Sequence, residues 1–365
     1  MKSVLILNFP ENPDKHRLFL VRHFLRQNGY EVGVLGCDVW KDEKYRFRLA
    51  EKPWILLGIN LEYAKYLRRI ISTFHREKFD FILIGYPAII DLLFIRLFFP
   101  GLKERVYVDY FLSFYDTIVS DRHIYSPTGF IAKTIYVIDK IFLRLSLHII
   151  TDTWVNARRY QRMFRLKVPE WHRILVGSRL LTEPVEWSQV QITPARRLKI
   201  GWVGAFIPLH GIEIILQSAE KLKEEAVDFL LIGDGQEFLD STKFIAQNKL
   251  EHVSLAGRLP YETAMQLLQS CDICLGIFGK SAKAGSVIPI KIFDYLCLGK
   301  WIITQNSGAF DELPPLVHII RIENNPEELC QAIRHLATNP QLSTPLSVRE
   351  MINEMVQRDV RSTFQ

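Results

Sequence analysis

Two similar α/β domains facing a cleft, each built on a parallel doubly wound sheet, are what this sequence predicts. Three observations point there. Short apolar runs alternate with amphipathic helical ones through the first half, the alternation breaks in a proline-bearing stretch, and it restarts near residue 198 with a second set. A length of 365 residues also exceeds what one ordinary core organises.

The elements follow in order. VLILNF (4–9) reads as a first strand, and HRLFLVRHFLRQNG as an amphipathic helix closed by Asn28-Gly29. EVGVLG (31–36), the helical EYAKYLRRIISTFHRE (62–77), FDFILIGYP (79–87), an apolar helix and ERVYVDY (104–110) continue the alternation. LHIITDT (147–153), the helix VNARRYQRMFRL and a last strand RILVG (173–177) complete a first domain over 1–180. Residues 181–197 carry two prolines and little periodicity and read as a linker. In the second domain, 198–345, LKIGWVGA, VDFLLIGDGQE, HVSLAGRLP, DICLGIFG and KWIITQN are strands, each paired with a helix. A polar helix over 346–365 closes the chain and is expected to pack back on the first domain.

With 48% hydrophobic and 24% charged residues, the chain is a folded protein, not a disordered one. Net charge is +6, and it is uneven: residues 1–190 hold 29 Lys/Arg against 20 Asp/Glu. A basic first half suits an anionic surface or substrate, or is simply a solvated face. Five scattered cysteines fit a reducing compartment and not a disulfide framework. Cys271 and Cys274 form a CxxC with no second Cys/His pair beside it, so burial is expected there over metal or redox chemistry. The stretches 88–102 and 136–150 are apolar but interrupted by charge and short of the ~20 residues a bilayer span needs. The N-terminus lacks the features of a signal peptide.

The second half carries a more specific pattern. Gly204, then His210-Gly211, LIGDGQE, AGRLP and IPIKIFDYLCLGKWIIT, in this order over residues 198–315, resemble the C-terminal domain of the GT-B glycosyltransferases, in particular the retaining family-4 type. The first half resembles that family in architecture and in DYFLSFYDT (109–117) and ITDTWVNARRYQ (150–161), which look like acceptor-domain segments of a bacterial surface-polysaccharide branch.

The resemblance implies a nucleotide-diphosphate sugar as donor substrate, with no cofactor. Asp294 matches the family's second acidic position, where a carboxylate accepts hydrogen bonds from ribose hydroxyls; Ser286 stands where the first acid usually is. Ala205 and His210 replace an arginine and a lysine that usually serve the diphosphate. Gly211 still lets backbone N–H groups approach a ligand, and a neutral imidazole still donates one hydrogen bond. Lys291, one turn before Asp294, and Lys283 in GKSAKAGS are candidate replacements for the missing charge. Gly233 and Gly235 supply a turn at a strand end, with no GxGxxG pattern, and Arg258 lies in the next strand-turn.

In the first domain the loop NFPENPDKH has no glycine, so close approach to a donor phosphate is not expected there. Asp109, Asp116 and Asp152 lie at or near strand ends, Asp109 as a candidate contact to donor sugar or acceptor hydroxyl. Retaining transfer of the family type passes the acceptor proton to the departing phosphate, so diphosphate stabilisation matters more than a protein base. No DxD-like pair stands in a strand-end loop, and metal-independent transfer is expected. The expected activity is sugar transfer to a lipid-linked or polysaccharide acceptor by a hexosyltransferase-like enzyme, with no nucleic-acid partner. A catalytically inactive GT-B scaffold is the alternative. The basic helix YAKYLRRIISTFHREKF is expected to rest on anionic lipid, placing the protein in the cytoplasm or peripherally on the inner plasma membrane face.

Overall fold

The structure, a computed structural model, describes residues 1–9, 16–37, 55–86, 88–167, 170–182, 197–316, 318–338 and 347–365. Residues 10–15 of the first loop and 183–196 of the linker lie outside the described residues.

The first sheet has strands β1 (Ser3–Leu7), β2 (Glu31–Leu35), β3 (Phe81–Ile84), β4 (Val106–Asp109), β5 (His148–Thr151) and β6 (Glu170–Arg173), in the order β2-β1-β3-β4-β5-β6. All pairs are parallel. Helices α1 (His16–Gln27), α2 (Ile55–Arg76), α3 (Ile89–Phe98), α4 (Phe130–Leu145) and α5 (Trp154–Phe164) cover it. The inner strands read as continuous apolar runs because both faces are covered. Along β1, Val4 and Ile6 enter one core while Leu5 and Leu7 enter another on the opposite face.

The second sheet has β7 (Leu198–Val203), β8 (Val227–Ile232), β9 (Val253–Gly257), β10 (Ile273–Leu275), β11 (Trp301–Gln305) and β12 (Ile319–Ile322), in the order β12-β11-β10-β7-β8-β9, again all parallel. Its helices are α6 (Ile212–Lys221), α7 (Phe238–Gln247), α8 (Tyr261–Gln269), α9 (Ile290–Cys297) and α10 (Pro326–Ala337). The C-terminal α11 (Ser347–Thr363) lies against α1, β6 and α9, so one apolar core runs continuously from Leu18 and Phe24 through Val356 to Ile292. The α/β class and the two doubly wound sheets are as the sequence predicts.

Two elements differ from expectation. The last strand of the first sheet is the polar Glu170–Arg173, not RILVG. As an edge strand, β6 has no need of apolar side chains on both faces, whereas Ile174, Leu175 and Val176 leave the sheet and enter the core with α1 and α11. Strand β12, another edge, was not anticipated because Ile319–Ile322 is short and follows two prolines closely.

In each sheet the strand order reverses once, between β1 and β3 and between β7 and β10. Loops at the C-terminal ends of those strands frame a ligand crevice in folds of this kind. In the second sheet they are the segments 204–211 and 276–289.

Candidate functional site

The loop after β7 is held rigidly. Gly204 N–H donates to the Ile232 carbonyl, Phe206 N–H to that of Asp234, and Phe278 N–H to that of His210. Gly211, at φ 61°, turns the chain into α6, and a β-carbon there would lie 2.2 Å from the Phe278 carbonyl oxygen. At Gly233 a β-carbon would lie 1.8 Å from the Gly204 oxygen, and at Gly235 2.8 Å from Phe206 backbone atoms. These two glycines therefore let the β8 turn pack under the β7 loop.

Two cation-capable side chains meet at Gly204. A β-carbon there would stand 2.5 Å from Lys291 Nζ and 3.1 Å from His210 Cε1 and Nδ1. Lys291 projects from the first turn of α9, is 6% exposed, and its ammonium has no hydrogen-bond partner among the described residues. It lies 4.2 Å from the centroid of the Trp202 ring, a contact that offsets only part of the cost of burying a cation. Burial pushes the ammonium well below the ordinary lysine value. Trp202 itself is fully buried and donates from Nε1 to the Gly276 carbonyl at 3.1 Å. The indole contact with Lys291 has no local signature in GWVGAF, because its partner lies in a distant segment.

His210 directs Nδ1 at the Ala205 carbonyl. Burial, then the neighbouring Lys291, hold its imidazole well below the usual histidine range. In the neutral form Nδ1–H is the donor to Ala205, which leaves Nε2 a bare acceptor. The N–H that was expected to meet a diphosphate is thus spent on the loop, and only the imidazolium would present a second donor.

Asp294, on α9, is 3% exposed; its Oδ1 accepts from Ser178 Oγ at 2.6 Å and Tyr261 OH at 2.8 Å. Burial raises its carboxyl to about 6. Ser178 belongs to the segment leaving the first domain, so this carboxylate ties the two halves together. Two more contacts cross the cleft floor. Lys283 Nζ donates to Thr117 Oγ1 at 2.9 Å, and Thr153 Oγ1 donates to the Ser286 carbonyl at 2.6 Å. Burial lowers the Lys283 ammonium from its ordinary value while Asp116 and Asp121 oppose that. The Ser286 hydroxyl donates to the Lys283 carbonyl. Lys283 is therefore not beside Lys291 as a second free cation; it engages the first domain. Arg258 lies exposed at the end of β9.

The first-domain carboxylates are largely internal. Asp109 pairs with Arg17 Nε at 2.8 Å, and that guanidinium also donates to the Ile174 and Thr151 carbonyls. Asp116 forms a bidentate pair with Arg159, both bonds 2.6 Å. Asp152 Oδ1 accepts from Asn156 Nδ2 and Thr151 Oγ1. Neither arginine was singled out in the sequence, because partners 92 and 43 residues away leave no local signature. At the first loop, Asn8 adopts φ 54° and donates from Nδ2 to the Gly85 carbonyl, so asparagine makes the turn that glycine often makes.

Among the described residues, the group spaced for a metal ion is His148, Glu170 and His172, with ligand atoms within 4.8 Å of one another. It lies toward the N-terminal ends of β5 and β6, away from the cleft loops. The five cysteines are buried and none is in a disulfide. No described helix is long and apolar enough to cross a membrane. On the basic helix expected to rest on lipid, α2, Tyr63 and Tyr66 are buried in the core, while Leu61, Glu62, Lys65, Arg68 and Arg69 are exposed.

Residues 197–339 match the family model for glycosyl transferases group 1. Over 147 residues the chain is 26% identical to an uncharacterised glycosyltransferase of Methanocaldococcus jannaschii, a match spanning 40% of each protein. In structure it is similar to Anabaena HepE in complex with UDP, at TM-score 0.61 and 14% identity over 100% of this chain and 98% of that one. It is similar too to sucrose-phosphate synthase of Thermosynechococcus elongatus, at TM-score 0.65 and 12% identity over 100% and 95%. Two facing six-stranded parallel sheets, shared end to end with these structures, give the whole chain the GT-B architecture, with the group 1 glycosyl transferase match in its second domain.

Proposed function

We propose that the protein is a glycosyltransferase that moves a sugar from a nucleoside diphosphate sugar to a lipid-linked or polysaccharide acceptor, with retention at the anomeric carbon. The observation that carries this is the Lys291 ammonium: buried, without a hydrogen-bond partner among the described residues, and set against Gly204 and His210 at the switch point of the second sheet. An unpaired buried cation is unfavourable until an anion arrives, and a diphosphate is the anion a nucleotide-binding domain of this architecture receives. The group 1 match over 197–339 and the UDP bound to HepE support the same reading.

In the proposed reaction the bond from the anomeric carbon to the diphosphate oxygen breaks, and the acceptor oxygen bonds to that carbon on the same face. The acceptor proton passes to the departing phosphate oxygen. Lys291 meets the growing negative charge, and the same charge raises the pKa of His210, so that its imidazolium donates from Nε2 while Nδ1 stays on Ala205. Two protein cations at one point supply the charge that a metal supplies elsewhere, which supports metal-independent transfer. In this reading Asp294 takes the ribose hydroxyls through Oδ2, with Oδ1 held by Ser178 and Tyr261.

The test is thermal stabilisation by UDP and GDP together with slow hydrolysis of the corresponding sugar nucleotides, in wild type and Lys291→Ala. A shift and turnover in wild type, both lost in a variant that still folds, are expected. Removing one charge-assisted contact of this kind costs about 10²–10³ in rate. Binding without hydrolysis or transfer would return the scaffold reading, and no nucleotide shift in wild type would end the proposal.

A further inference from the structure

The sequence places carboxylates inside two apolar helices, and the structure turns them inward. Asp91 of α3 accepts from Tyr63 OH at 2.8 Å, and Asp139 of α4 accepts from Ser113 Oγ at 2.6 Å and from Tyr115 N–H at 2.9 Å; both are fully buried. What faces outward is hydrocarbon. On α3, Ile90, Leu93 and Leu97 form one stripe, and on α4, Phe130, Val137 and Ile141 form another with Ile131 and Ile138 exposed beside it; Phe130 is 85% and Leu97 72% exposed. The helices adjoin, and Arg96 staples them by donating from Nε and Nη2 to the Leu145 carbonyl. Two helices with charges inside and large apolar side chains outside present an unusual face to water, because scattered exposed apolar residues are ordinary but contiguous ones are not.

Charge says what covers the face. Residues 88–145 contain seven Lys/Arg and six Asp/Glu. All five aspartates are buried, so Glu104 is the one carboxylate exposed in this stretch, while none of the seven bases is buried. Lys133 and Arg144 stand exposed on α4 itself. A second copy of the chain would bring these cations against one another, and a neutral apolar partner would leave them unanswered. Hydrocarbon flanked by unopposed cations is the pattern that partitions into an anionic bilayer interface. The N-terminal ends of both helices follow the C-terminal ends of β3 and β4, the side on which Thr117 meets Lys283 across the cleft.

We infer that the α3–α4 face inserts into an anionic membrane surface and brings the cleft mouth to a lipid-borne acceptor. Its role in transfer rests on the lipid-linked form of the proposed reaction, but its existence does not.

Flotation of the full chain with phosphatidylcholine vesicles, with and without phosphatidylglycerol, tests this at low and high salt. Wild type is expected to float with the anionic vesicles and to be released by salt. Ile131→Glu/Ile138→Glu and, separately, Lys133→Glu/Arg144→Glu should each reduce the bound fraction at least about tenfold, with the UDP or GDP thermal shift of wild type retained as the readout of folding. Equal recovery with neutral and anionic vesicles overturns the inference. So does flotation of the Ile131→Glu/Ile138→Glu protein like wild type, or a wild-type dimer by light scattering that this variant dissolves while flotation is unchanged. Flotation as expected in a protein that no nucleotide stabilises keeps the membrane face and removes the transfer reading instead.

Discussion

At Gly204 the absence of a side chain makes room for two others. Lys291 Nζ and the His210 ring occupy the space a β-carbon would need, which is why the sequence pairs a glycine with an imidazole and a lysine 87 positions away. The protonation of that pair is coupled. Burial and Lys291 keep the free imidazole neutral well below the usual histidine range, with Lys283 and Arg122 adding to the repulsion. A bound diphosphate raises the value, so binding takes up a proton and affinity rises as pH falls toward the free-state value. Titration of UDP affinity between pH 8 and pH 6 should show this rise in wild type and a smaller slope in His210→Asn, the residue being due to Lys291. An identical slope in the variant would leave His210 a turn residue only. The turn between Gly204 and Gly211 was legible in the sequence because loop spacing is local, whereas the contact of His210 Nδ1 with the Ala205 carbonyl was not. The duties of Lys283, Asp109 and Asp116 were not, since each is decided by a partner in a distant segment.

Helices α3 and α4 show how much an element's meaning depends on which way it faces. Their sequences show apolar runs broken by Asp91 and Asp139, which argues against a membrane span, and neither helix is long and apolar enough to be one. Rotation about the helix axis then buries the acids and exposes the hydrocarbon, and no periodicity argument predicts that, because the usual rule places polar residues outward. The same logic explains β6, where polar residues form the edge strand and the apolar run beside it leaves the sheet. The inward carboxyls have a measurable consequence. Burial raises Asp91 to about 6, against an ordinary value of 3.8. A carboxyl whose folded value is raised weakens the fold as pH climbs, since the unfolded chain ionises first; the effect grows from about pH 4 and levels off above about pH 6. Relative to wild type, Asp91→Asn should therefore gain about 1–3 kcal/mol between those limits, read from urea unfolding at a series of pH values. A pH-independent difference between the two proteins would mean that Asp91 ionises as freely in the fold as outside it.

At the scale of the molecule, one guanidinium joins three parts of the chain. Arg173 on β6 donates to both oxygens of Asp359 on α11, at 3.0 and 2.8 Å, and to Glu312 of the second domain at 3.3 Å. Glu312 in turn accepts from Val155 N–H at the start of α5, and Asp359 from Leu175 N–H. All three charged side chains are at least nearly nine-tenths buried, with exposures of 11%, 9% and 7%. The C-terminal helix thus packs its apolar face on α1 and α9 and is pinned by charge at the domain junction. Removing one member of such a buried group is costly, about 3–5 kcal/mol, mainly because the partners stay behind uncompensated. Arg173→Met should lower the melting temperature substantially, and Asp359→Asn added to it should recover part of the loss, since one stranded carboxylate is then neutral. Nucleotide-induced stabilisation should persist in both, because Lys291 and His210 touch none of these groups. A melting temperature unchanged by Arg173→Met would show that the apolar core shared by α1, α9 and α11 holds the domains together without the charge cluster.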